Sequence, residues 1–296
     1  MLALRPLAAA RGPSADASSR PPAAAAALAA LRSGLVSAAL TACLLLPAPL
    51  PAAAEPAAAP ASTSGGSAPL TTVYFGNGCF WGRQKDFVEV EMRTLGRPAD
   101  QVTALVGYAA GTATGPDGRV CYVYSDPKTR YDELGHAEVV ALGVDPGAEE
   151  AEVRAFARAY FKQFQRTIDQ GMMRLDPQDA GAAYRNVIGL PGGVRSPLFP
   201  IIQEANVNGM ELREGKGNVV RGGRDTENDE LNVVWVVDSE ALPFYRAERY
   251  HQFHHGLGKR FPETYVRGVR DTVAATGRIE PVPGCLEFPE LPRVGW

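Results

Sequence analysis

Gly78-Cys79-Phe80-Trp81-Gly82 sets a thiol between two glycines and two large aromatics, and this 296-residue chain concentrates its capacity for chemistry there. Upstream, Thr71-Thr72-Val73-Tyr74-Phe75 is a β-branched and aromatic run that reads as a strand, and Gly76-Asn77-Gly78 breaks it. From Phe80 to Glu91 apolar residues recur at helical spacing, Phe80 with Phe87 and Trp81 with Val88. Cys79 therefore falls at the first turn of a helix, where unpaired backbone N–H groups and the positive end of the dipole favour thiolate over thiol. The spacing predicts a lowered pKa and a nucleophile; a cysteine packed inertly between aromatics is the competing expectation.

A nucleophilic thiol needs an acid or base beside it. Gly135-His136-Ala137-Glu138 opens an apolar strand over Ala137 to Val144, which puts His136 and Glu138 on the same sheet face. A carboxyl embedded in Ala-Glu-Val-Val-Ala is desolvated there, its pKa rises, and it becomes a proton donor near neutrality. A second cluster, Asp179-Ala180-Gly181-Ala182-Ala183-Tyr184-Arg185, sets a carboxylate in a turn ahead of a strand that starts with a phenol. Acid and phenol together can bind a substrate oxygen.

Of four cysteines, Cys43 lies in the leader described below, which leaves Cys79, Cys121 and Cys285. No Cys-x-x-Cys occurs, and three of the four histidines are packed into His251, His254 and His255, so neither a zinc site nor a disulfide framework is expected. Cys285 sits in Pro281-Val282-Pro283-Gly284-Cys285, within a proline-rich stretch without periodicity. From about residue 258 onward a mobile tail is expected, on which Cys285 could swing to a distant sulfur.

These residues must be held by a fold. Hydrophobic content of 45%, charged content of 21% and a net charge of -3 suit a globular domain and give no support for a nucleic-acid partner. Residues 1–69 differ from the rest. Met1 to Leu31 is Ala- and Pro-rich, with Arg5, Arg11 and Arg20 against the single acid Asp16; Leu35 to Leu50 is apolar but broken by Pro47 and Pro49, and Ala52-Ala53-Ala54 follows. This composition predicts a bipartite plastid address, the chloroplast with the thylakoid lumen as its inner destination, ahead of a secretory signal; it is too short for a membrane span, and a disordered linker follows to Pro69. A catalytic domain is expected over 70–296. Within it the periodicity predicts helices at Ala148 to Thr167, capped by Asp145-Pro146, at Leu198 to Asn206 and at Tyr245 to His255. Strands are predicted at Tyr184 to Leu190 and at Leu231 to Asp238, the latter central. The fold class expected is α+β, a two-layer arrangement of sheet and helices with extended loops.

Five ordered segments carry a family resemblance: Gly78 to Gly82, Val106-Gly107-Tyr108-Ala109-Ala110-Gly111, Gly135-His136-Ala137-Glu138-Val139-Val140, Asp179-x-Gly181-x-x-Tyr184-Arg185, and Pro243-Phe244-Tyr245-x-Ala247-Glu248-x-x-His251-Gln252. Over residues 71 to 257 the chain resembles the A-type peptide methionine sulfoxide reductases. The resemblance implies a ferredoxin-like (split βαβ) core and thiol-dependent reduction of free or peptidyl methionine (S)-sulfoxide, with no metal or organic cofactor. Cys79 would attack the sulfoxide sulfur, Glu138 donate to the leaving oxygen, Tyr184 bind that oxygen, Asp179 orient the pocket, and Phe80 and Trp81 hold the S-methyl group. The sulfenic acid left on Cys79 would be condensed by a resolving cysteine, Cys285 ahead of Cys121, and the disulfide reduced by thioredoxin or a similar dithiol. A monomer is expected, with no membrane partner.

The segment before Gly135 departs from the family pattern. It leaves the second oxygen-binding tyrosine open among Tyr122, Tyr124 and Tyr131, with Tyr131 favoured for its nearness to Glu138. A hydrophilic, Gly-rich insertion runs from Asn208 to Glu230, and no role for it is legible. The alternative function is a weakened relative that binds oxidised methionyl segments as a sensor; retention of Cys79, Glu138, Asp179 and Tyr184 together argues against it.

Overall fold

The computed structural model describes residues 69–168, 171–174 and 179–288. Of the leader and linker expected over 1–69, all but Pro69 lie outside the described residues. In chain order the elements are β1 (Thr71–Gly76), α1 (Phe80–Glu89), β2 (Leu105–Ala109), β3 (Ala137–Val144), α2 (Glu149–Phe161), β4 (Phe164–Thr167), β5 (Gly171–Arg174), β6 (Val187–Leu190), α3 (Phe199–Ala205), β7 (Glu211–Glu214), β8 (Val220–Arg221), β9 (Arg224–Asp225), β10 (Val233–Asp238), β11 (Tyr245–Arg246) and α4 (Arg270–Ala275). Among the described residues no helix is long and apolar enough to cross a membrane.

Seven strands make one mixed sheet in the order β11-β2-β3-β1-β6-β10-β7. The middle strand β1 runs antiparallel to β3 and β6, β2 is antiparallel to β3, and β10 is parallel to both β6 and β7. Strand alternation gives the sheet two apolar faces. Val73 and Phe75 of β1 join Phe87, Val88, Val153, Phe156 and Tyr160 of α1 and α2 in the larger core cluster. Tyr74 between them points the other way, into a smaller cluster with Val139, Val187 and Trp235. Its ring crosses Gly189 so closely that a Cβ there would lie 2.2 Å from it, so only glycine fits beneath Tyr74.

One buried ionic knot ties the helical layer together. Arg97 donates to Glu91 and to Glu152, both at 2.7 Å, and Glu91 accepts from the N–H groups of Thr103 and Ala104. The end of the first helical segment, the approach to β2 and the start of α2 are thus joined through one guanidinium, whose planar fork suits two carboxylates.

Several expected elements differ. The helix expected to Thr167 ends at Phe161, where the Asn208 amide donates to its carbonyl, and Phe164 to Thr167 turns into the β4–β5 hairpin. Asp145 does not cap α2; the cap position is Ala148, with Glu149, Glu150 and Glu152 in the first turn supplying the dipole complement instead. No α-helix covers Tyr245 to His255, where only a 3₁₀ turn forms over Arg249–His251. β11 pairs with β2 there, and the Gln252 amide takes over beyond it, accepting from Val106 N–H and donating to the Val106 carbonyl, so tertiary hydrogen bonds override the helical spacing. The β10 strand stands next to the edge strand β7 rather than at the centre, and the strand expected from Tyr184 begins only at Val187. The described residues after 258 are not an irregular tail throughout: a helical segment over Thr264–Ala275 packs Tyr265, Val269 and Val273 into the larger core.

Replacing Arg97 by Leu should destabilise the fold by about 3–5 kcal/mol, because two buried carboxylates lose their cation at once. The midpoint of urea unfolding measures this; a shift worth under about 1 kcal/mol would show that the knot contributes no more than an exposed pair.

Candidate active site

Gly78, at φ 81°, turns the chain from β1 into α1 and leaves half-buried Cys79 at the N-cap position. The free N–H groups of the first turn are taken up by the site itself. Phe80 N–H donates to Glu138 Oε2 at 3.0 Å, and the Trp81 N–H, near the Cys79 sulfur, favours its thiolate. The expected fall in the Cys79 pKa does not follow. Burial pushes the thiol well up, the Glu138 charge adds to this, and the Trp81 N–H offsets only part. Desolvation outweighs the helix terminus because the sulfur sits among carboxylates rather than in an electropositive cleft.

Glu138, on β3, is 2% exposed. Burial pushes its carboxyl up to about 8, against the opposing Phe80 N–H bond. His136 does not share this chemistry. Its Nδ1 accepts from Gly111 N–H at 3.1 Å and its Nε2 meets the Ala113 carbonyl at 2.7 Å, so it latches the loop after β2, and burial lowers it to about 4.

The three candidate tyrosines separate. Tyr131 is buried and donates to Glu138 Oε1 at 3.2 Å, while its ring stacks on Tyr108 at 4.5 Å and Tyr122 at 6.0 Å. Tyr122 is half-buried over His251, 4.3 Å between rings, with its phenol raised by burial and by Glu138. Tyr124 is 67% exposed and packs edge-on against Phe288. Tyr184 ends a short 3₁₀ turn over Ala182–Tyr184; its hydroxyl neighbours that of Tyr131, and burial followed by Glu138 raises it. The Asp179 charge adds a smaller share to the rise of the Cys79 thiol. The structure therefore brings Cys79, Glu138, Tyr131, Tyr184 and Asp179 to one place, from four separated stretches of chain.

Of the two aromatics, Phe80 is buried against Tyr108 and His251, and Trp81 keeps part of its surface open while stacking on His254 at 4.1 Å. Behind them lie groups to which sequence reasoning gave no role. His251 Nδ1 accepts from the Trp81 indole at 3.3 Å, and burial pushes His251 down to about 3, so it is neutral. Buried Glu248 accepts from Tyr108 hydroxyl at 2.8 Å and Tyr122 N–H at 2.7 Å. The Glu-x-x-His spacing was visible but sat in a segment read as a helix, which hid its supporting position under Trp81.

Cys285 does not swing freely. It is joined to Cys121 by a disulfide, Cα atoms 5.5 Å apart, and Arg119 donates to the Gly284 carbonyl at 3.0 Å. The expectation of a lone mobile cysteine fails because Arg119, bonded to Gly284, and Ser125, bonded to Leu286 N–H at 3.1 Å, seat the segment on the loop that carries Tyr122 and Tyr131. Among the described residues, the grouping of metal-ligating side chains is Cys121, Glu248 and Cys285, and its two sulfurs are bonded to each other.

A free thiol beside a protonatable buried acid and neighbouring phenols defines a thiol-dependent oxidoreductase. Residues 71–190 match the family model described as peptide methionine sulfoxide reductase. The chain is 31% identical over 191 residues to the peptide methionine sulfoxide reductase MsrA of Pseudomonas aeruginosa (strain UCBPP-PA14), spanning 62% of this chain and 68% of that protein. It is 30% identical over 203 residues to the MsrA of Brucella melitensis biotype 2, spanning 69% and 74%. The solved methionine sulfoxide reductase A of Corynebacterium diphtheriae aligns at 19% identity and a TM-score of 0.37, over 63% of this chain and 74% of that one. The chain belongs to the A-type peptide methionine sulfoxide reductase family.

The Glu138 geometry has a consequence for stability. Its folded pKa of about 8 lies above its ordinary 4.5, so its contribution is complete below the unfolded value and is lost as pH rises toward 8. Against Glu138→Gln, which does not titrate, the wild type should lose on the order of 4 kcal/mol of relative stability across that window. Chemical unfolding at several pH values measures the difference; parallel curves for the two proteins would contradict it.

Proposed function

We propose that the chain reduces methionine (S)-sulfoxide, free or in peptides, and so repairs oxidised proteins. The observation that carries this reading is the Glu138 carboxyl, which accepts from the first N–H of the helix bearing Cys79 and from Tyr131. At neutral pH it holds a proton within the same cluster as the thiol. The Cys79 sulfur attacks the sulfoxide sulfur while Glu138 passes its proton to the oxygen, which Tyr131 and Tyr184 hold by their hydroxyls. The Cys79 thiol proton goes to the Glu138 carboxylate, the hydroxyl passes to the Cys79 sulfur, and methionine leaves with Cys79 as sulfenic acid. Two electrons move from thiol to sulfoxide. Trp81, with Phe80 behind it, receives the S-methyl group, and Asp179 orients the pocket.

The Cys121–Cys285 pairing supports a relay rather than a single resolving sulfur. With both thiols reduced, one condenses with the sulfenic acid to a disulfide on Cys79 and releases water. The other attacks that disulfide, frees Cys79 and closes Cys121–Cys285. An external dithiol, thioredoxin by the family's pattern, reduces it. Strand order β2-β3-β1-β6 with α1 and α2 as crossovers supports the ferredoxin-like, split βαβ description of the core. The leader composition supports delivery to the chloroplast, and the site is complete within one chain, which supports a monomer.

With dithiothreitol, the full chain should turn over the S epimer of a methionine sulfoxide and not the R epimer; turnover of neither contradicts the reading. Cys79→Ser should abolish the activity and Glu138→Gln should slow it by roughly 10²- to 10⁴-fold, while the wild-type rate should fall above about pH 8 as Glu138 loses its proton. Cys121→Ser and Cys285→Ser should each keep turnover with dithiothreitol and lose it with thioredoxin.

A further inference from the structure

The 208–230 insertion, without a role in the chemistry above, places two carboxylates in shielded ion pairs beside the site, Glu227 with Arg185 at 3.7 Å and, more closely, Asp229 with Arg174. Arg174, at the end of β5, donates to both carboxylate oxygens of Asp229, at 2.7 and 2.8 Å. The side chains are 8% and 12% exposed, so the pair is shielded from water, and the two parallel bonds fix its orientation as well as its distance. Asp229 is itself held from behind, because the Trp235 indole donates to the neighbouring Asn228 carbonyl at 2.9 Å.

Both members of the pair then grip the loop that carries Asp179 and Tyr184. Arg174 donates to the Asp179 carbonyl at 2.9 Å, and Gly181 N–H donates to Asp229 Oδ2 at 3.1 Å. Gly181 holds φ 100°, a conformation that L side chains rarely adopt, so the loop passes Asp229 in one shape. Tyr184 N–H donates to the Gly181 carbonyl and Gly78 N–H donates to the Tyr184 carbonyl, each at 2.9 Å. An unbroken series of hydrogen bonds therefore runs from Asp229 to the residue before Cys79.

We propose that Asp229, acting through Arg174, is a positioning residue for the reduction. The pair holds the 179–184 loop against the turn that carries Cys79, where Gly78 N–H meets the Tyr184 carbonyl. The proposal rests on the Cys79 chemistry above. It gives the insertion a task in catalysis rather than in surface coverage alone.

The test uses the full chain carrying Asp229→Asn, Asp229→Glu or Glu230→Gln. The last removes the neighbouring exposed pair with Arg213, 3.0 Å apart, and leaves the brace intact. Two readouts are taken: kcat and KM with dithiothreitol and methionine (S)-sulfoxide, and the pH dependence of Cys79 alkylation by iodoacetamide, followed on the Cys79 peptide by mass spectrometry. Asp229→Asn should lower kcat about 10- to 100-fold with KM within about twofold, as expected for misplaced catalytic groups beside an intact methyl pocket. Its Cys79 should alkylate severalfold faster near neutrality, because the Asp179 charge, which disfavours the thiolate, no longer stands in place beside it. Asp229→Glu should recover part of both readouts, and Glu230→Gln should match the wild type. Wild-type kcat and alkylation in folded Asp229→Asn overturn the proposal, as does an equal loss in Glu230→Gln. Should Asp229→Asn not fold, wild-type values on both readouts in Asp229→Glu overturn it. An inactive wild type counts against the reductase reading, whereas the alkylation comparison uses no sulfoxide and still decides the brace.

Discussion

A carboxyl group buried against the first turn of a helix is the constraint on which the rest of this molecule depends. Glu138 is withdrawn from water on β3, and its two oxygens are met by Phe80 N–H and the Tyr131 hydroxyl. Burial favours the protonated form, and each donor recovers part of what desolvation costs. Because the Phe80 amide follows Cys79 directly, the bond that accommodates the acid also fixes where the thiol stands. The helix terminus, instead of activating the thiol by its dipole, is occupied in holding a proton donor beside it.

The surrounding architecture serves that arrangement. β1 and β3 pair in the middle of the sheet, so the turn after β1 and the start of β3 share one end of it. Two loops close over this end. One is seated by the Cys121–Cys285 bridge and brings Tyr122 and Tyr131; the other is gripped by Arg174 and Asp229 and brings Asp179 and Tyr184. Under Trp81, neutral His251 and buried Glu248 form a polar floor that ties the β11 segment to the loop carrying Tyr122. The three cysteines and the buried carboxyl are thus held by parts of the chain far apart in sequence, and a shift in either loop moves the groups that face Cys79.

How much of this was legible in the sequence depended on whether a residue's role is set locally. The strand-turn-helix around Cys79 and the apolar setting of Glu138 are local, and both stand in the structure as their neighbours imply. The choice among Tyr122, Tyr124 and Tyr131 needed the path of an irregular loop, which no periodicity encodes. The helix expected over Tyr245 to His255 failed because Gln252 bonds both backbone groups of Val106, a contact across 146 residues. The direction of the Cys79 shift also turned on tertiary burial, which a position at a helix end does not reveal. Proline-rich composition suggested a mobile tail after residue 258, yet Tyr265, Val269 and Val273 sit in the core, and Cys285 is tethered through Cys121.

The central claim is that Glu138 is a neutral acid when the enzyme meets its substrate. Carboxyl ¹³C NMR of the full chain labelled at glutamate side chains, with the Glu138 signal assigned by its loss in Glu138→Gln, reads that state directly. The structure implies a titration midpoint near 8 and a protonated carboxyl at neutral pH. A midpoint in the ordinary carboxylate range, about 4 to 5, would mean that Glu138 is ionised during turnover and that the proton comes from elsewhere.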